Sequence, residues 1–347
     1  MKLRYRISIT NTIKFQWSLI KLCKIYRYMK LGVENTAGVV DIREQVEFAT
    51  ETDSSVAGWK LWPPYERLRG RNQWPDDFQP SLRPTIMEYV NGTLEIANII
   101  RRALCMALGL SADALDHMFD NDPHWAMKLV SYPVPNENMS SSGANHSHSS
   151  EIEQSGLRSA SELQSEPQTS SWQGVGAHTD TNFLTLVLQD SVGGLQVFSK
   201  DSWIDVPADG PAVLVCNLGE QAQILSSGYF LATPHRVVRR LVHSSTASLE
   251  NNQSRISIPI FFNPNLEAKI QPLKLPENVM KTSGVSENKR HWRNSSDKNA
   301  MLEAVGYNTF KSLARSHPVV FRKHHGDLCI LEDGRIVKKC FDSKHTD

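Results

Sequence analysis

Between Ser81 and Leu110 apolar residues recur at three- and four-residue spacing, through Ile86, Val90, Leu94, Ala97, Ile100, Leu104 and Leu108. That period predicts one long amphipathic helix whose stripe faces a core. Pro84 suits its first turn and Gly109 its C-terminal stop. Ser111 then reads as the N-cap of a short helix that ends near Phe119. From Asn136 to Gln173 the pattern vanishes into Ser, Glu and Gln, as in SSSGANHSHSS and SASELQSEPQTSS. Such a segment buries too little apolar surface to offset chain entropy, and it is expected to be a disordered insertion. After Gly174 the period becomes that of strands: Phe183 to Leu188, a hairpin of Leu195–Phe198 and Trp203–Val206 around SKDS, Ala212 to Cys216, His235 to Leu241 and Arg255 to Phe262. Many short strands with turns between them predict a sandwich or barrel. The chain returns to helix from about Met301 to Ser316 and ends in a polar tail.

Composition narrows the partners more than the fold. With 347 residues, 40% of them hydrophobic and 22% charged, the chain has the make-up of a globular protein with a sizeable core. A net charge of +1 gives no reason to expect nucleic acid or an anionic membrane. No apolar run is long enough for a membrane-spanning helix. The five cysteines, Cys23, Cys105, Cys216, Cys329 and Cys340, include no CxxC pair, so neither a disulfide framework nor a thiolate zinc site is indicated. A reducing, cytoplasmic setting follows as the expectation. The acid-free, basic stretch before Glu34 leaves an organelle transit role as the alternative.

Chemistry concentrates in the β region. Side chains at i and i+2 of a strand share a face, so His178-Thr179-Asp180 can present an imidazole and a carboxylate together. His235, in TPHRVV, can join them if its strand runs alongside. Two histidines and one carboxylate are the protein ligands of non-haem Fe(II) oxygenases, which leave the opposite face of the metal open. Spacing alone is weak evidence, because His325-Gly326-Asp327 repeats it in a polar turn. His146 and His148 also form an HxH pair, yet a serine-rich loop is a poor cage for a metal. Arg255-Ile256-Ser257 strengthens the case. Arg255 and Ser257 share a strand face, and a guanidinium fork with a hydroxyl suits a distal carboxylate such as that of 2-oxoglutarate.

The run GVGAHTDTNFLTLVLQDSVGGLQVFSKDSWIDVP, followed by CNLGEQAQILSSGYFLATPHRVV and SRISIPIFFNP, resembles the Fe(II)/2-oxoglutarate-dependent dioxygenases of the isopenicillin N synthase-like superfamily. The resemblance implies a mainly β fold, a double-stranded β-helix (jelly-roll) core flanked by α-helices. It implies His178, Asp180 and His235 as iron ligands, and Arg255, Ser257 and Tyr132 as contacts to 2-oxoglutarate. Fe(II), 2-oxoglutarate and O2 are the cofactors it implies, with ascorbate as an accessory reductant. The implied reaction is oxidation of a small organic metabolite by hydroxylation, desaturation or cyclisation, with release of succinate and CO2. No nucleic acid, membrane or obligate protein partner is expected. The alternatives are a 2-oxoglutarate-independent Fe(II) oxidase of the same superfamily and a truncated, inactive member.

Three departures accompany the likeness. Val130 stands where the family's Asn-x-Tyr element has asparagine, so one polar contact to the cosubstrate is expected to be missing or replaced. Glu220 replaces the aspartate that follows Asn-x-Gly, a change expected to be mild. Likeness begins only near Met29, without the family's first strand. The expected division is therefore an unmatched basic segment (1–28), a partial N-terminal helical region (29–135), the insertion (136–173), the catalytic core (174–275), and a C-terminal helix with a polar tail (276–347).

Overall fold

The computed structural model describes residues 28–36, 38–52, 62–77, 79–120, 123–134, 171–210, 212–240, 253–282 and 301–339. Three short strands, β1 (Tyr28–Met29), β2 (Asn35–Thr36) and β3 (Val39–Val40), precede β4 (Glu44–Ala49). Helix α1 (Leu82–Ala107) and the single turn α2 (Asp116–Phe119) lead to β5 (Trp125–Tyr132). The central strands are β6 (Ser171–His178), β7 (Leu184–Gln189), β8 (Leu195–Ser199), β9 (Ser202–Asp205), β10 (Leu214–Leu218), β11 (His235–Arg240) and β12 (Arg255–Phe262), with α3 (Glu220–Leu225) after β10. Helices α4 (Glu277–Thr282), α5 (Val305–Ser316) and α6 (Pro318–His324) follow, and β13 (Leu328–Ile330) pairs with β14 (Ile336–Lys338) at the end.

Two antiparallel sheets make the body. One runs β1-β4-β5-β12-β7-β10 and the other β6-β11-β8-β9. Strand alternation sorts their side chains. On β12, Ile256, Ile258 and Ile260 point outward and pack with Val46, Met127 and Leu129 against Ile86 and Val90 of α1. The opposite face carries Arg255 and Ser257, as the two-residue period requires. Between the sheets lies a small apolar cluster of Val130 and Tyr132 from β5, Val175 from β6, Leu195 from β8 and Val237 from β11. Because it draws on both sheets, they face each other. This is the jelly roll that the resemblance implies, and it fits the sandwich or barrel expected from the strand pattern.

Local chemistry explains most boundaries. The β8–β9 hairpin turns on Lys200 and Asp201, both at positive φ, as a right-twisted two-residue hairpin needs. α1 stops at Gly109, whose φ of +70° ends a helix cheaply. Tyr89 donates its hydroxyl to the Ile258 carbonyl at 3.1 Å, pinning the helix to β12.

Several expectations need correction. Ser111 caps no helix: its hydroxyl donates to Asp113, and α2 begins only at Asp116. The strand expected at Ala212–Cys216 lies two residues later, and the C-terminal helix begins at Val305 rather than Met301. The polar segment was expected to reach Gln173, but β6 starts at Ser171 because residues 171–173 pair with β11. The polar tail folds too, as α6 and the β13–β14 hairpin. Residues 1–27, the insertion from 135 to 170 with His146 and His148, and Cys23 and Cys340 lie outside the described residues.

Candidate metal centre

β6 and β11 run antiparallel with His178 directly opposite His235. That register joins two histidines far apart in sequence, their ring centroids 4.3 Å from each other. Asp180 follows β6 by two residues and places Oδ1 at 3.6 Å from His178 Nε2 and 3.7 Å from His235 Nε2. The other atoms of all three groups are engaged. His178 Nδ1 donates to the Gly176 carbonyl at 2.8 Å, and His235 Nδ1 to the Thr233 carbonyl at 3.0 Å. Those backbone acceptors put the proton on Nδ1 and leave each Nε2 lone pair facing the shared centre. Asp180 Oδ2 accepts from Thr185 Oγ1 at 2.6 Å and from Asn217 Nδ2 at 2.9 Å, which holds Oδ1 inward.

Electrostatics suit a divalent cation. Burial and the neighbouring His235 push His178 down to about 4, against the pull of Asp180 and the Gly176 hydrogen bond. It is therefore neutral and able to ligate at neutral pH. Burial raises Asp180, but His235, His178, Asn217 and Thr185 together hold it below the usual carboxylate range. Two lone pairs and one anionic oxygen converge with their far sides fixed, a donor set that fits Fe(II).

The loop carrying Asp180 is clamped by backbone. Glu220 N donates to the Asp180 carbonyl at 2.8 Å, and Gly219 N to that of Phe183 at 3.0 Å. A Cβ at Gly219 would lie 2.0 Å from the Asn182 carbonyl oxygen, so no larger residue fits. Gly219→Ala is expected to cost ~1–3 kcal/mol or more of stability by overpacking and to weaken metal binding. Thermal melts and metal titration of the variant check this, and an unchanged centre would show the clamp to be slack. Glu220 has a use of its own: it accepts from Thr179 Oγ1 at 2.6 Å, fixing the residue between the two ligands.

Beside the metal centre lies a buried, positively charged pocket. Arg255 is 1% exposed, with Nη2 donating to Gln189 Oε1 at 3.1 Å while Nε and Nη1 have no protein acceptor. Its guanidinium lies 4.9 Å from the centre of the Tyr132 ring, directly across the β5–β12 pair. Ser257 sits two residues along the same face, opposite Val130 and Gln189. A buried guanidinium with open donor sites calls for an anionic partner, and a fork plus hydroxyl matches a carboxylate. Arg239, which the sequence reading missed, adds to the field: burial and then the charge of Arg255 lower its pKa. Val130 is a wall of the apolar cluster, so the polar contact an asparagine would give at this position is absent. Gly174 packs against Tyr132 and Val237, since a Cβ there would meet the Tyr132 ring at 2.8 Å and Val237 Cγ1 at 2.9 Å.

The competing HxD is a structural element. Arg67, itself buried, makes a bidentate pair with Asp327 at 2.8 and 2.7 Å, while His325 packs edge-on against Phe310. Among the described residues, only two groups of three ligand-type side chains converge: His178/Asp180/His235 and Glu34/Glu47/His317.

The jelly roll thus brings together two histidines and one carboxylate, the protein ligand set of mononuclear non-haem iron oxygenases, together with a buried guanidinium that has open donor sites. Residues 154–264 match the model of the 2OG-Fe(II) oxygenase superfamily. It is 30% identical over 250 residues to the homoarginine-6-hydroxylase 2-ODD-C23 of Glycine max, covering 71% of this chain and 62% of that one. It is 27% identical over 348 residues to the 1-aminocyclopropane-1-carboxylate oxidase of Dictyostelium mucoroides, covering 94% of this chain and 81% of that one. The chain spans between 62% and 66% of the length of the soybean protein and three further relatives. A full-length Neurospora crassa protein, solved as a crystal structure in complex with alpha-KG, shares the fold at a TM-score of 0.59 and 20% identity, covering 89% of this chain and 82% of that one.

Proposed function

We propose that the protein oxidises a small polar metabolite in a reaction dependent on Fe(II), 2-oxoglutarate and O2. The observation that carries this reading is the pairing of two pre-set elements: three ligand atoms aimed at one point, and an Arg255 fork left open beside them. His178, Asp180 and His235 would hold the iron. Arg255 and Ser257 would bind the distal carboxylate of 2-oxoglutarate, with Tyr132 against its chain. The bound iron and cosubstrate supply the oxidising chemistry, with succinate and CO2 as coproducts. The chain's own contribution is orientation and exclusion of water. Gly176 and Thr233 fix the imidazoles, Thr185 and Asn217 fix the carboxylate, and Val130, Val175, Leu195 and Val237 keep the pocket apolar around its charged floor.

Two relatives carry a small amino acid in their names, which supports a metabolite-sized substrate. Near-neutral net charge supports the same scale. The cytoplasm, where iron stays ferrous, is the compartment this reading proposes. The test is succinate and labelled CO2 release from 1-14C-2-oxoglutarate by iron-loaded protein with ascorbate. The expected result is slow uncoupled release that rises with the right metabolite. Metabolite oxidation without succinate would replace this reading with a 2-oxoglutarate-independent oxidase.

A further inference from the structure

Helix α1 is apolar on two sides. Its inner side, with Ile86, Val90, Ala97 and Cys105, is buried in the two large apolar clusters. Its outer side carries a second row, Gly92, Ile96, Ile99, Ala103 and Met106, and all five residues are exposed. Ile96 is 42% exposed, Met106 64% and Ile99 69%. The solvent side of a helix ordinarily carries charged and polar residues. From Ile96 to Ala107 the exposed positions of α1 include one charge, Arg102. A lone exposed isoleucine needs no explanation, whereas a continuous apolar row marks a contact surface.

The row has the geometry of a helix seam. Its members are spaced alternately by four and three residues, the strict heptad pattern of a coiled coil and narrower than the stripe that meets a globular core. Gly92 adds an independent sign. Glycine weakens a helix interior, and a Cβ at this position would meet nothing within 4 Å, so the packing of the fold gives no reason for it. Close approach of a second helix does give one. Ala103 supplies the other small position, and the two isoleucines lie between them.

The pattern is complementary to itself in one orientation. With two copies of α1 antiparallel, Ile96 of one lies against Ile99 of the other and Gly92 against Ala103, each contact occurring twice by symmetry. The same register sets Glu95 beside Arg102 of the other copy, also twice, because both flank the seam on one edge. Glu95 is exposed and has no charged partner among the described residues. Arg102 is 53% exposed and donates Nη2 to Asp116 at 2.5 Å, which leaves its other N–H groups for a second carboxylate. In a parallel pair Glu95 would face Ile100 and Arg102 would face Ala107, and neither charge would be matched. A seam this short buries less than the roughly 1,600 Å² of a standard interface, so association belongs in the micromolar range.

We propose that the outer side of α1 is a self-association surface, through which two copies of this chain pair as an antiparallel, two-fold symmetric dimer. Sedimentation velocity of the full chain between ~2 and ~200 µM tests this, across the range where an interface of this size should form. A shift from monomer to dimer is expected. Ile99→Glu should weaken association ~30-fold or more, as loss of a central contact does, with the melting temperature of the monomer unchanged. Gly92→Leu should raise that melting temperature, since leucine is the better helix former, and yet weaken the dimer by blocking close approach. The register has its own test in Glu95→Arg and Arg102→Glu. Each variant alone should stay monomeric, because like charges meet twice, and an equimolar mixture should pair, because opposite charges then meet twice. Asp116 keeps its ion pair with Arg101 at 2.7 Å in the second of these, so α2 stays held. A monomer throughout the range would overturn the proposal. So would a dimer that survives both Ile99→Glu and Gly92→Leu, or a mixture of the charge variants that associates no better than either alone.

Discussion

Asp180→Ala is expected to lower Fe(II) affinity by more than ~100-fold and to abolish succinate formation, since even groups that only support a ligand contribute 10- to 100-fold. Asp180 is the hub of the centre, with Oδ1 facing both imidazoles and Oδ2 serving the buried Thr185 hydroxyl and the half-buried Asn217 amide. Alanine removes the one anionic ligand and takes the short hydrogen bond from Thr185 Oγ1, left with Asn182 Oδ1 at 3.4 Å, and the acceptor from the half-buried Asn217 Nδ2, at ~1–3 kcal/mol in all. A lower melting temperature should accompany the lost metal. Asp180→Asn separates the two effects, because it keeps an oxygen for Thr185 while removing the charge that holds iron. His178→Ala should empty the site as well but with less loss of stability, since its ring is 36% exposed and donates only to Gly176. Fe(II) titration, melting curves and a succinate assay on the three variants decide the matter. Full activity in Asp180→Ala would remove the metal assignment.

The convergence of His178, Asp180 and His235 was legible because its signal is local in two pieces, an HxD at the end of one strand and a histidine opening another. What the spacing did not contain was the discrimination from His325-Gly326-Asp327. That came from partners remote in sequence: the His178–His235 register on one side, and the capture of Asp327 by Arg67 on the other. Arg255 and Ser257 were readable as an i, i+2 pair. Arg239 was not, because a bulge between His235 and Val238 breaks the simple alternation along β11. The C-terminal hairpin had a signal that was passed over, Asp333-Gly334 between two short apolar runs, with Gly334 at φ +82°. The short cap before α2 failed for a physical reason, since Ser111 spends its hydroxyl on Asp113. Glu34, Glu47 and His317 come from three separate segments, and nothing in local pattern joins them.

Arg255→Ala carries the second large effect and tests the cosubstrate pocket without touching the metal. A carboxylate gripped by a guanidinium fork makes two charge-assisted hydrogen bonds, each contributing ~1.5–3 kcal/mol. Losing them is expected to raise the 2-oxoglutarate KM by ~100-fold or more, at 1.4 kcal/mol per factor of ten. Activity at saturating 2-oxoglutarate should fall far less, and Fe(II) affinity should not change. Arg255→Lys keeps the charge but loses the fork, so its KM should fall between the two. A purely structural arginine would behave otherwise, and the melting temperature shows the difference. In the absence of ligand, Arg255 is a buried cation with two open nitrogens beside Arg239, whose pKa burial and that neighbouring charge depress. Removing it relieves desolvation and repulsion, so the ligand-free variant should melt no lower than the parent. The rise in melting temperature that 2-oxoglutarate gives the parent should vanish, because a ligand stabilises only as far as it binds the folded state. An unchanged 2-oxoglutarate requirement, or a ligand-free variant that unfolds early while its KM stays put, would mean that Arg255 braces β12 and that the distal carboxylate is held elsewhere.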